Sequence, residues 1–249
     1  MRLMFGFLVK KWFFDLWDNF LPAILVNLGF VLVLSVPVLL PPVFKALGVI
    51  LVTIYLGGVY TAASEFTDYR SITFAVFWSG IRENLLTATI FGVIVVLHIV
   101  LLSVAVPFYS SLGNWLGLVA LAVLFWISVS WILAAQFILP VRTRLNRENR
   151  AVFRKSFILL FDNPGFSIGI FLGAIIIFAL SIFTAFLLPG ITGIAIWYQT
   201  ALKLRLYKYD FLEENPDERK AIPWDGLLYD DRERVGTRTL RGMIFPWKE

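Results

Sequence analysis

The chain has 249 residues, 59% of them hydrophobic and 16% charged, with a net charge of +5. A mean hydropathy of +0.81 excludes a soluble globule and marks an integral membrane protein. With no cysteine and a single histidine, disulfides, thiolate catalysis and His- or Cys-rich metal centres are excluded, and no cofactor is implied.

In chain order, the opening MRLMFGFLVKKWFF has no small-residue cleavage site after its apolar core, so no removable signal peptide is expected. Six apolar runs then approach the ~20 residues that cross a hydrocarbon core: 20–40, 43–63, 85–107, 115–139, 165–188 and 190–206. The sixth is the weakest. Its apolar part GITGIAIWYQTAL passes into KLRLYKY, whose long cationic side chains must snorkel to the headgroups.

Lys and Arg are retained on the cytoplasmic side of short loops. Arg2, Lys10, Lys11, Arg70, Arg82, the basic residues between Arg142 and Lys155, Lys203, Arg205 and Lys208 fall at alternate ends of the runs, against Lys45 on the other side. This predicts an even number of spans with both termini cytoplasmic. The basic excess favours anionic lipid headgroups at the cytoplasmic face and not nucleic acid.

An acid-Asn pair recurs against three of the apolar runs: Asp18-Asn19, Glu83-Asn84 and Asp162-Asn163. Each follows an amphipathic stretch. In the second, Phe74, Phe77, Trp78, Ile81 and Leu85 share helical spacing; in the third, Phe153, Phe157, Leu160 and Phe161 do, with Arg147, Arg150, Arg154 and Lys155 as the polar residues. The first is apolar except for a stripe at Lys11, Asp15 and Asp18. Such helices lie in the interface with cations toward the headgroups. Asn suits the corner to a spanning helix because it caps exposed N–H groups, and the acid sits near the positive helix end. The expected fold is therefore all-α, with six transmembrane helices as three hairpins, each preceded by an interfacial amphipathic helix. The three units read as an internal repeat across a membrane domain at 1–209, or as convergent capping.

Residues 210–249 form a charged, turn-rich cytoplasmic tail. Its apolar positions, among them Trp224, Tyr229, Phe245 and Trp247, suit either a segment folded onto the bundle or one that orders on a protein partner.

Catalytic signatures are missing: the sequence holds no phosphate-binding Gly-rich loop, serine elbow or zinc-binding helix motif. A non-enzyme is expected, with no metal. His98 is the ionisable side chain within the apolar interior, either a functional group or a neutral imidazole bonded to a neighbouring helix. Asn27, Gln136 and Gln199, with Tyr60 and Tyr198, either line an inward-facing polar cavity or bond between helices. Gly165, Gly169 and Gly173 form a small-xxx-small ladder that predicts close helix approach.

Asn27 in an early helix, the segment FTDYRSITFAVFWSGIRENLLTATIFG and the unit AVFRKSFILLFDNP together resemble the YesL-like family of bacterial integral membrane proteins of unknown function, over roughly 15–210. The resemblance implies a helical inner-membrane protein, in some bacteria associated with carbohydrate uptake or degradation, and carries over no catalytic residues. The tail departs from the family pattern. The expected function is a non-enzymatic accessory or regulatory protein that uses its basic face and tail to contact a partner. The alternative is a small transporter or lipid-handling protein with a cavity around Asn27, His98, Gln136 and Gln199.

Overall fold

The computed structural model describes residues 2–41, 44–145, 147–217, 222–236 and 238; Phe245 and Trp247 lie outside this set. Among the described residues the chain is all-helical: α1 (Arg2–Asp18), α2 (Phe20–Leu39), α3 (Lys45–Thr67), α4 (Phe74–Ser111), α5 (Trp115–Ala135), α6 (Ile138–Arg144), α7 (Asn149–Asp162), α8 (Pro164–Phe183), α9 (Gly190–Glu214), α10 (Trp224–Leu227) and α11 (Tyr229–Val235). Five stretches are long and apolar enough to cross a membrane: α2, α3, α4, α5 continued through α6, and α8.

Helix α9 is not one of these five, and its packing explains why. It buries Thr192, Tyr198, Gln199, Thr200 and Arg205 together with its apolar residues, and it packs against α1, α2, α3, α6 and α8. A helix surrounded by protein need not be apolar on every side, because lipid does not touch it. The outer helices are the reverse: α5 exposes Leu118, Phe125, Trp126 and Ile127.

The chain breaks at Asn19 and Asn163, but neither side chain caps the helix that follows. Asn19 donates back to the Asp15 carbonyl, and Asn163 donates to Asp162. The predicted elbow at Glu83-Asn84 does not exist. Helix α4 runs unbroken through both residues for 38 residues, roughly 57 Å at 1.5 Å per residue. Its start is ten residues earlier, where the Thr73 hydroxyl accepts from the Val76 N–H. Asn84 faces α3 instead, donating to the Gly57 carbonyl (3.2 Å), Thr61 Oγ1 (3.0 Å) and the Gly80 carbonyl (2.8 Å). With its amide committed sideways it has no helix start to serve.

The tightest helix pair is α3 with α4. A Cβ at Gly80 would lie 2.5 Å from Thr61, and one at Gly92 would lie 2.3 Å from Thr53, so this seam, and not the ladder on α8, brings helix axes together. On α8, Gly165 faces open space, Gly169 meets the Phe5 ring and Gly173 meets the Trp197 ring. The ladder is a groove for aromatic rings, and the Trp197 indole N–H donates to the Ile170 carbonyl at 2.8 Å.

Beyond α8 the chain folds back on itself. The Phe186 N–H bonds the Ser181 carbonyl, and the Gly190 N–H bonds Ser181 Oγ at 3.0 Å, so α9 begins level with Ser181. Gly190 has φ +60, and a Cβ there would lie 2.3 Å from Asn27 Nδ2, two independent reasons for glycine.

Helix α1 presents Met4, Leu8, Lys11 and Asp15 at helical spacing to the bundle, all buried, and leaves Val9 and Trp17 exposed. The expectation that its polar stripe faces headgroups is therefore reversed for Lys11 and Asp15. Trp12 fixes the arrangement by donating to the Gly193 carbonyl at 2.8 Å.

Candidate functional site: a buried ion cluster

At the charged end of the bundle, four helices and the turn after α3 converge on six ionised side chains. Helix α1 contributes Lys11 and Asp15, the end of α3 contributes Asp68, α6 contributes Arg144, α9 contributes Lys203 and α11 contributes Asp231. The cations Lys11, Arg144 and Lys203 balance the anions Asp15, Asp68 and Asp231. Buried charge persists only when paired and hydrogen-bonded; every member of this set is paired, and Asp15 Oδ2 is the one carboxylate oxygen in it that is buried without a hydrogen bond among the described residues.

Asp231 is the hub. Its Oδ1 accepts from the Tyr69 hydroxyl (2.9 Å) and Lys203 Nζ (3.2 Å) and lies 3.6 Å from Lys11 Nζ; its Oδ2 accepts from the Tyr207 hydroxyl (3.0 Å). Tyr69 reaches it from a left-handed backbone conformation, φ 59, uncommon for a bulky residue, and its ring lies 3.9 Å from Lys11 Nζ. Lys11, fully buried, also pairs with Asp15 at 3.0 Å and donates to the Thr67 carbonyl at 3.0 Å. Lys203 donates to the same carbonyl at 3.0 Å and sits 3.2 Å from Asp68.

Arg144 extends the cluster into the bundle. It grips Asp68 at 3.2 Å, donates to Thr67 Oγ1, and its Nε donates to Gln199 Oε1 at 2.7 Å. The Gln199 amide then donates to the Tyr60 carbonyl (3.0 Å) and Thr143 Oγ1 (2.6 Å).

Burial dominates the electrostatics. It pushes Asp15 up to about 6 from the ordinary 3.8, against the pull of Lys11, and it lowers Lys11 despite Asp15 and Asp231. Burial also acts to raise Asp231, but Lys11, Lys203 and the two tyrosine hydroxyls hold it below the ordinary value.

Because the folded Asp15 binds its proton more readily than the unfolded residue, its contribution to stability is full below about pH 4 and is lost as pH rises through about 6. Unfolding of the wild type and of Asp15→Asn at pH 4.5 and pH 7 tests this. The wild type should gain relative to the variant at pH 4.5; an unchanged gap would show an unperturbed Asp15.

The six predicted cavity residues do not share a cavity. Tyr60, through its carbonyl, and Gln199 belong to the arm of the cluster just described, and Tyr198 is buried beside them. Asn27 lies elsewhere, clamping the turn between α8 and α9. Gln136 donates to the Ser167 carbonyl at 3.1 Å, tying α5 to α8. His98 sits in an open groove of about 550 Å³ with Ile94, Trp126, Ile127 and Trp131. The amides of Asn27, Gln136 and Gln199 all bond to neighbouring helices or turns.

The elbow acids have ionic partners. Asp18 accepts from Arg238 at 2.9 Å, and Asp162 accepts from Arg205 at 3.0 Å and from the Tyr209 hydroxyl at 2.5 Å. In the tail, Leu228, Asp231 and Val235 are buried at i, i+3 and i+7, Trp224 is half-buried and Tyr229 is exposed. The residues that sequence reasoning missed, Asp68, Tyr69, Arg144, Lys203 and Asp231, come from separate segments. The one local signal was the i, i+4 spacing of Lys11 and Asp15. No protein-family model, curated protein or solved structure matches the chain.

Proposed function

We propose that this is a non-enzymatic accessory or regulatory protein of a bacterial inner membrane, whose charged end faces the cytoplasm and forms a fixed docking platform for a protein partner. The observation that carries the reading is the ion cluster itself. It ties α1, α3, α6, α9 and α11 into one charge-balanced unit, with the tail held by Asp231 and with Tyr229 and Asp230 turned outward. Rigid presentation of an exposed face lowers the ordering cost of association.

Six spans as three hairpins, with α9 as the sixth, place both termini on that side, and the bias of Lys and Arg supports this orientation. The link to carbohydrate uptake rests on the resemblance to YesL-like proteins.

Copurification from native membranes tests the reading, comparing the full chain with a Tyr229→Glu, Asp230→Lys variant that leaves Asp231 in place. A reproducible protein partner should be recovered with the wild type and lost with the variant, while the unfolding midpoint stays the same. Absence of a reproducible partner, or retention by the variant, counts against the platform.

A further inference from the structure

A second polar feature of the charged end is separate from the ion cluster. A cleft of about 320 Å³ opens between α3, α4 and α6, with Thr61, Glu83, Asn84, Arg142 and Arg147 on its walls. Arg142 is half-buried, and its guanidinium donates to Asn84 Oδ1 (3.2 Å), to the Glu83 carbonyl (2.6 Å) and to the Arg147 carbonyl. All three acceptors are neutral. Among the described residues no ion pair within 4 Å involves Arg142, although the Glu83 carboxylate on the cleft wall attracts it from farther away and Arg147 repels it.

The contacts fix the plane of the Arg142 fork without cancelling its charge, which is the state suited to bidentate recognition of an oxyanion. At the mouth, the Arg147 side chain is 87% exposed and only loosely paired, 3.7 Å from Glu83. Glu65, on the cleft's other wall, is engaged by Arg70 at 3.4 Å.

The adjoining face of α7 indicates the source of the anion. Arg150, Arg154, Ile158 and Phe161 fall at successive i+4, i+4 and i+3 steps, and all are exposed. Basic groups thus occupy the end near the cleft and apolar groups the far end, the order that suits a helix dipping obliquely into an anionic bilayer, cations among the headgroups and apolar end toward the acyl chains.

We propose that the Arg142–Arg147 cleft is a phosphate-oxyanion site that receives the headgroup of an anionic phospholipid, with Arg142 as the preorganised fork and Arg147 as the entry residue. The alternative source of the same chemistry is a soluble phosphate compound.

Native mass spectrometry of the full chain in detergent, titrated with phosphatidylglycerol or phosphatidylcholine, reads the lipid arm. Thermal unfolding with and without inorganic phosphate reads the soluble arm. The wild type should retain phosphatidylglycerol preferentially. Arg147→Gln should weaken that binding roughly tenfold, the scale of one charge-assisted contact, and Lys45→Gln, outside the cleft, should leave it unchanged. Arg142→Lys should act in the same direction as Arg147→Gln, since it keeps the charge and loses the fork. If Arg142→Lys fails to fold, exposed Arg147 decides alone. Arg147-dependent stabilisation by phosphate, with no preference between the lipids, assigns the site to a soluble ligand and overturns the headgroup assignment. If neither ligand distinguishes the wild type from Arg147→Gln, the oxyanion site itself is overturned.

Discussion

Replacing Asp231 by alanine is expected to destabilise the protein by about 3–5 kcal/mol, the usual cost of removing one member of a buried ionic set. The substitution leaves Lys11 and Lys203 with a net uncompensated charge, strands the Tyr207 hydroxyl and leaves the Tyr69 hydroxyl only the backbone carbonyl of residue 231 at 3.3 Å. Two measurements check this. The unfolding midpoint in detergent should fall, and limited proteolysis should cut the segment 222–236 far faster than in the wild type, because Leu228, Val235 and hydrogen bonds to its backbone, such as that from Lys10 to the Gly236 carbonyl, must then hold it. The double variant Lys11→Met, Asp231→Leu should lose less than the sum of the single changes, since it removes charge from both sides of the pair. Wild-type resistance to protease in Asp231→Ala would show that the ionic hub does not hold the tail.

The second large effect is expected at Asn27. Its Nδ2 donates to the Leu187 carbonyl (2.9 Å) and the Pro189 carbonyl (3.0 Å), and its Oδ1 accepts from the Thr192 N–H (2.9 Å). One buried amide thus satisfies three backbone groups where the chain turns between α8 and α9. Asn27→Leu keeps the volume and strands the Leu187 carbonyl and the Thr192 N–H, while the Pro189 carbonyl keeps its bond from the Gly193 N–H at 2.9 Å. At roughly 1–3 kcal/mol for each of the two stranded groups, the loss should be about 2–4 kcal/mol after partial relaxation. The check is an unfolding midpoint well below that of Gln136→Leu, which orphans fewer groups because Gln136 makes one contact to another helix. Equal effects at the two sites would mean that the turn is held by its other bonds, chiefly those to Ser181.

How far the sequence could be read depended on whether a signal was local. Long apolar runs are local, so five of the spanning stretches were visible at once. The sixth run was weak for a reason that composition cannot reveal: α9 is enclosed by other helices and carries polar residues that bond to them. The acid-Asn pairs show the limit of a motif. Asp18-Asn19 and Asp162-Asn163 do sit between helices, whereas Glu83-Asn84 sits inside one. The difference lies in what faces the amide, and only the approach of α3 supplies the Gly57 carbonyl to Asn84. The small-residue signal was misplaced in the same way: spacing favoured Gly165, Gly169 and Gly173, but close contact with another helix arose around Gly57, Gly58, Gly80 and Gly92. For the ion cluster, Asp231 stands among charged neighbours in DDRER and reads as solvated. Its burial follows from the position of its face, which also carries Leu228 and Val235.

The tie between Lys10 and the Gly236 carbonyl spans 226 residues, and the neighbouring tie between Lys11 and Asp231 is nearly as long. During synthesis, therefore, the first helix emerges with a lysine and an aspartate on its inward face long before their last counter-ion exists. The spanning helices can be threaded into the bilayer one after another, but the charged end closes only when residue 231 has left the ribosome. A chain interrupted between residues 203 and 231 retains an unmet positive charge at its core entrance, where wholly helical content would hide the defect from a spectrometer but not from a protease. Assembly of this protein thus carries its own test, made by α1 upon α11.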